Sequence, residues 1–134
     1  DTSIDLIATD GTDIVGSLET GEVSYHTQIK NTGDKPINVL AYMKIIQLAN
    51  DQYTYFCWGD QASGTGTCYI PTDKDFLSTF TLEVKPGEIT PAGNFINYII
   101  NQNKEAPAIK VRYIVYEDGN ETNRDSVDYT ITFK

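Results

Sequence analysis

The amino-acid sequence predicts an all-β fold of about seven antiparallel strands in two sheets packed face to face. Three observations carry this. Stretches rich in Ile, Val, Tyr, Phe and Thr recur along the chain, separated by clusters of Gly, Pro, Asn and Asp. Several of them alternate apolar and polar residues with a period of two, as a strand with one buried and one wet face does. No segment of about ten residues spaces its apolar side chains at three and four, so the pattern lacks the crossover helices of a parallel sheet.

Strands are expected near residues 3–8, 21–30, 37–46, 77–84, 94–101, 109–117 and 125–133. The second alternates most cleanly, with Val23, Tyr25, Thr27 and Ile29 on one face and Ser24, His26, Gln28 and Lys30 on the other. The fourth sets Phe80, Leu82 and Val84 against Thr79, Thr81 and Glu83. The last sets Val127, Tyr129, Ile131 and Phe133 against Asp128, Thr130 and Thr132, and this half-wet pattern implies antiparallel pairing. Turn residues supply the boundaries: Asn31 to Pro36 after the second strand, Pro86-Gly87 after the fourth, Asp118-Gly119-Asn120 after the sixth.

Residues 1–134 are read as a single domain, a length that buries one core without a metal as its main support, and no repeat, low-complexity tract or linker divides them. The chain opens at Asp1 with neither an initiator Met nor a charged and apolar leader, which suggests a processed terminus or a domain of something longer. With 19 acids against 10 bases the formal charge is −9, and no stripe of Lys or Arg is present to neutralise phosphates, so nucleic acid is not an expected partner. Apolar runs such as Tyr98-Ile99-Ile100 fall far short of the roughly 20 residues that span a bilayer, and no transmembrane segment is expected.

The longest irregular stretch, about residues 50 to 76, holds both cysteines, Cys57 and Cys68. They are read as a disulfide, because cross-linking a Gly- and Ser-containing loop of this size removes freedom from the unfolded chain worth roughly 3 kcal/mol. Such a bond implies an oxidising compartment, and the expected location is secreted, periplasmic or cell-surface. The rival readings are two free buried thiols, a metal pair, or a catalytic Cys. A zinc site usually takes four ligands, and the chain adds only His26 to these two. A catalytic Cys needs an activating base, and His26 lies on the wet face of a strand without a positional link to the loop.

Tyr53, Tyr55, Trp58 and Tyr69 crowd this loop together with Phe56, and Trp58 is the single tryptophan. Rings with a polar handle stack on sugars or anchor protein interfaces, which makes Trp58, Tyr55, Tyr69 and Tyr53 the candidate ligand-binding residues. Alternatively these rings cap the open end of the sandwich and cover its core. That role is preferred, since aromatic side chains are more often buried than displayed.

Other chemistry is thinly represented. Asp10-Gly11-Thr12-Asp13, Asp73-Lys74-Asp75 and Asp118-Gly119-Asn120-Glu121 offer oxygens to calcium without the spacing of an EF-hand loop, and are read as solvated turns. Asn120-Glu121-Thr122 matches the short N-glycosylation pattern in an expected hairpin loop. The acids fall mostly in turns and on wet faces rather than flanking a cleft, no Gly-x-Ser-x-Gly elbow accompanies His26, and Gly64-Thr65-Gly66 lacks the helix and Lys of a phosphate loop. No catalytic residue, metal or cofactor is assigned, and the chain is expected not to be an enzyme.

The run from Tyr25 to Val39, with Lys30-Asn31-Thr32-Gly33 at its centre, resembles the second and third strands of immunoglobulin-like accessory domains in bacterial surface proteins. Tyr55-Phe56-Cys57-Trp58-Gly59 with Cys68-Tyr69, Lys85-Pro86-Gly87-Glu88, Ile109-Lys110-Val111-Arg112-Tyr113 and the Val127, Tyr129, Ile131, Phe133 alternation extend the similarity to sandwich domains of secreted Bacteroidetes proteins. The resemblance implies an immunoglobulin-like sandwich that spaces, presents or attaches other domains at the cell surface, with a protein or a glycan as ligand. It departs from antibody-type domains in placing both Cys in one loop, where they do not form the usual inter-sheet bridge.

Overall fold

The computed structural model describes residues 2–134; Asp1, where the chain begins, lies outside them. Eleven strands follow in order: β1 (Ile4–Ala8), β2 (Asp13–Gly16), β3 (Glu22–Asn31), β4 (Ile37–Gln47), β5 (Gln52–Trp58), β6 (Thr67–Cys68), β7 (Phe76–Leu77), β8 (Leu82–Val84), β9 (Phe95–Asn101), β10 (Ile109–Glu117) and β11 (Asn120–Phe133). One turn of 3-10 helix, Ala92–Asn94, precedes β9. The first sheet runs β1-β3-β9-β5-β6, and the second runs β2-β11-β10-β4-β7 with β8 also on β4. Neighbours are antiparallel except β2, which runs parallel to β11. Among the described residues no helix is long and apolar enough to cross a membrane.

The all-β, two-sheet expectation holds, and the strand count is corrected from about seven to eleven. The expected strand at 77–84 is broken in two by Ser78, whose N–H donates to the Ala41 carbonyl at 2.8 Å while its Oγ accepts from the Ala41 N–H at 2.9 Å. That pair of bonds turns the chain out of a straight ladder between β7 and β8. Strand β5 lies where a long loop was expected, and β11 begins at Asn120, several polar residues before the apolar alternation starts.

The core lies between the sheets and is led by Trp58, Tyr25, Tyr113, Tyr129, Phe56 and Phe95, all under 2% exposed. Phe56 sits at its centre, edge-on to Phe95 at 5.6 Å and Tyr113 at 5.7 Å, so β5 joins the first sheet to the second through ring contacts. Buried polar groups are tied as well. Thr27 Oγ1 donates to Asn97 Oδ1 at 2.8 Å between β3 and β9. Asn31 Nδ2 donates to the Lys35 and Val84 carbonyls at 2.7 and 2.9 Å, and its Oδ1 accepts from the Gly33 N–H at 2.9 Å. The free edge of β1 is closed by side chains from the other sheet: the Ser3 N–H donates to Asn123 Oδ1 and the Leu6 N–H to Asp125 Oδ2, both at 2.8 Å.

Candidate functional site

Alternation along β5 decides which of the expected aromatic residues stand on the outer face of the first sheet. Gln52, Thr54, Phe56 and Trp58 point inward and are buried, while Tyr53, Tyr55 and Cys57 take the outer face of the first sheet. Trp58 is therefore corrected as a ligand-stacking residue. Its ring is 1% exposed, it packs edge-on against Phe95 at 5.0 Å, and its Nε1–H donates to the Phe80 carbonyl at 3.0 Å. Tyr69 also covers the core, with its ring 5.0 Å from Phe56 and 4.7 Å from Phe76, and its hydroxyl accepts from the Thr79 N–H at 2.9 Å. Half of the candidate set serves the covering role.

Tyr53 and Tyr55 belong to a different constellation. Cross-strand register sets Tyr55 opposite Tyr98, Tyr53 opposite Ile100 and Cys57 opposite Ile96, and all three β9 residues share the outer face. The Tyr55 and Tyr98 rings stack at 4.7 Å with 3° between their planes. Ile70 extends this row. It lies between Tyr69, whose N–H bonds to Phe56, and Thr72, which exchanges backbone bonds with Thr54, so it stands beside Tyr55, and it is 83% exposed. Ile70, Tyr69, Pro71 and Phe76 line an apolar groove of about 350 Å³ at this edge. The outcome is an outward apolar strip over β5 and β9, formed by Tyr53, Tyr55, Tyr98, Ile96 and Ile100, with Ile70 exposed in the segment after β6 at its edge.

Sequence reasoning missed Ile96, Tyr98 and Ile100 because β9 carries apolar residues on both faces, and it missed Ile70, which lies in an irregular segment after β6. Asn97 and Asn101 point inward with Phe95 and Ile99, Asn101 Oδ1 accepting from Gln52 Nε2 at 3.0 Å, while Ile96, Tyr98 and Ile100 point out. The available signal was the run Phe95-Ile96-Asn97-Tyr98-Ile99-Ile100-Asn101, apolar on both faces, which a strand with one wet face does not need.

Cys57 and Cys68 form a disulfide between register partners of β5 and β6, on the same outer face. Neither is a free thiol, so the metal-pair and nucleophile readings of these two residues fall. The loop they enclose is braced from within and from the 3-10 turn. The Thr65 N–H donates to the Asp60 carbonyl at 3.0 Å, the Gly59 N–H to the Asn94 carbonyl at 3.1 Å, and the Gln61 N–H to Asn94 Oδ1 at 3.1 Å.

The rim of the strip is polar and acidic. Burial raises the pKa of the Tyr55 phenol, and the neighbouring Tyr98 and the Glu22 carboxylate add to the rise; in the strand register Glu22 lies opposite Ile100, at the end of the strip. Tyr53 shares a cleft of about 420 Å³ with Asp51 and Asp73. On β3, His26 lies opposite Ile96, its N–H donating to Asp10 Oδ2 at 2.8 Å and its Nδ1 lying 2.9 Å from the same oxygen. Among the described residues no three His, Cys, Asp or Glu side chains gather to hold a metal ion. At the far hairpin Thr122 Oγ1 donates to Asn120 Oδ1 at 2.8 Å, both residues being exposed.

No protein-family model matches the chain, and no curated protein matches it in sequence. Three solved structures are similar in shape. The N-terminal domain of PorA is 19% identical, with 98% of this chain covering 97% of that one at a TM-score of 0.66. The FixG-related protein from Vibrio parahaemolyticus is 15% identical, with coverage of 98% and 94% and a TM-score of 0.52. The seventh PapD-like (ASH) domain of human CEP192 is 9% identical, with coverage of 99% and 84% and a TM-score of 0.50. At these identities the likeness is one of fold, and the fold it shows is an immunoglobulin-like, PapD-like β-sandwich.

Proposed function

We propose that the chain is a non-catalytic module of a secreted, periplasmic or cell-surface protein that engages a protein partner through the outer face of its first sheet. The observation that carries this is the strip formed by Tyr53, Tyr55, Tyr98, Ile96 and Ile100, with Ile70 at its edge. A soluble domain rarely leaves aromatic and branched side chains together on an outer sheet face unless something covers them. Tyrosine-rich, flat and rigid surfaces of this kind are enriched at protein interfaces. The Cys57–Cys68 bond favours an oxidising compartment.

A glycan ligand is the second reading, favoured by the tyrosines standing next to Ser24, Glu22 and His26 as hydrogen-bonding groups. It is the weaker fit, because Tyr55 and Tyr98 spend one ring face on each other.

A photo-crosslinking residue at position 98, with position 110 on the opposite face as control, tests the proposal in cells of the source organism. A discrete adduct formed from position 98, absent from position 110 and lost in Ile96→Ser, supports it. Equal adducts from both positions overturn it. Glycan-array binding that disappears in Tyr98→Ala moves the assignment to the second reading.

A further inference from the structure

The apolar strip is edged by carboxylates. On the first sheet, the outward residues of β5 and β9 include no lysine or arginine: they are Tyr53, Tyr55, Cys57, Ile96, Tyr98 and Ile100. The one outward base of β3, Lys30, sits in register with Asp5 of β1, and the opposite end of β3 presents Glu22 in register with Ile100 of β9. Asp51 and Asp73 line a cleft with Tyr53, and Lys74 Nζ lies 3.7 Å from Asp73 Oδ1. The outer face of the second sheet carries Lys44, Lys110, Arg112 and Arg124 on β4, β10 and β11, with the acids Asp13, Glu83 and Asp128 among them, and Asp128 holds the Arg112 guanidinium at 2.7 Å. The apolar strip, by contrast, has carboxylates at its edges and no base within it, in a molecule that already carries −9.

We infer that the partner of the strip is a protein segment with apolar side chains at its centre and lysine or arginine on its flanks. The inference rests on the reading of the strip as a docking surface. Apolar contact with Tyr55, Tyr98, Ile96 and Ile100 supplies the affinity, and Glu22 and Asp51 select the sign of the flanking charge. An acidic partner is driven off by the same two carboxylates together with the field of the whole chain. A second copy approaching face to face brings −9 against −9, with Glu22 and Asp51 on both sides.

Two capped peptides with the same Tyr-Leu-Tyr-Leu centre, one flanked by lysines and one by glutamates, are the probes, read by amide chemical shifts of the labelled protein. The lysine peptide is expected to bind at least about fivefold tighter at low salt, with the difference collapsing near 0.5 M salt. Shifts concentrate on Tyr55, Ile96, Tyr98 and Ile100, and Glu22→Gln and Asp51→Asn each weaken the lysine peptide by about two- to threefold, the scale of one exposed charge pair.

Equal binding of both peptides at the strip, lost in the folded double variant Ile96→Ser with Tyr98→Ser, overturns the charge inference and leaves the docking surface standing. Shifts that map to Lys44 and Arg112, or binding untouched by the double variant, overturn both. Concentration-dependent shifts of the strip without peptide make a second copy the occupant and overturn the inference.

Discussion

Trp58 donates its indole N–H to the Phe80 carbonyl across 3.0 Å, and that bond fastens the segment between β7 and β8 onto the core. Because the ring is 1% exposed, acrylamide is expected to leave its fluorescence nearly unquenched until the protein unfolds. Trp58→Ala removes the ring and orphans a carbonyl at once, and a loss of about 3–5 kcal/mol in urea titrations is expected. Trp58→Phe keeps most of the packing and is expected to cost about 1–3 kcal/mol, chiefly the unpaired Phe80 carbonyl.

The disulfide is expected to act on stability alone. Cys57 and Cys68 are 11 residues apart, and replacing both with Ala releases about 3 kcal/mol of loop-closure restraint into the unfolded chain. Asn94 still holds Gly59 and Gln61, and Phe80 and Phe95 still hold Trp58, so the near-ultraviolet dichroism of the folded variant should match that of the parent. A changed aromatic spectrum before unfolding would show that the bond also positions the rings.

How far the fold could be read from sequence depended on what each strand buries. In β3, β8 and β11 the inward residues are largely apolar, Tyr25 and Ile29, Leu82 and Val84, Tyr129 and Ile131, so a period of two was visible. In β5 and β9 the inward set includes Gln52, Thr54, Asn97 and Asn101, whose partners come from other strands, and the outward set is tyrosine and isoleucine. Local alternation carries no sign of such pairing. Tyr53 and Tyr55 were therefore picked out, while Tyr98 and Ile96, the other half of the strip, were not. Strands β6 and β7, two residues each, are too short for any periodicity. The placing of Trp58 follows from pleating once the disulfide is known to lie on the outer face: its neighbour in the strand must point in.

Three phenols should titrate late. Burial raises the pKa of Tyr25, Tyr113 and Tyr129 above the ordinary phenol value of 10.0, for Tyr25 and Tyr113 by a wide margin. A folded pKa above the unfolded one means the stabilisation is complete below pH 10 and declines as pH rises beyond it. Absorbance at 295 nm should show a first wave of exposed tyrosinates, then a cooperative step from the buried ones that coincides with loss of the far-ultraviolet signal. A single smooth wave of all nine tyrosines with the fold intact would contradict this assignment.

Asn31 should tolerate no replacement, for a reason of donor count. Both protons of its amide are used on the Lys35 and Val84 carbonyls, and its oxygen takes the Gly33 N–H, so one buried side chain closes the turn after β3 and ties it to the end of β8. Asn31→Ala leaves three backbone groups without that partner and is expected to cost about 2–4 kcal/mol. Asn31→Asp keeps the shape but aims a carboxylate at two carbonyl oxygens, so at neutral pH it should be at least as damaging as the alanine. The introduced carboxyl is held protonated by that environment, with a folded pKa above its unfolded value. The aspartate variant should therefore regain stability relative to the parent as pH falls toward 4 and lose it as pH rises. Urea midpoints of the parent and both variants at pH 4 and pH 7 separate the two effects: an aspartate penalty that does not change with pH would mean the carboxyl turns away from the carbonyls into solvent.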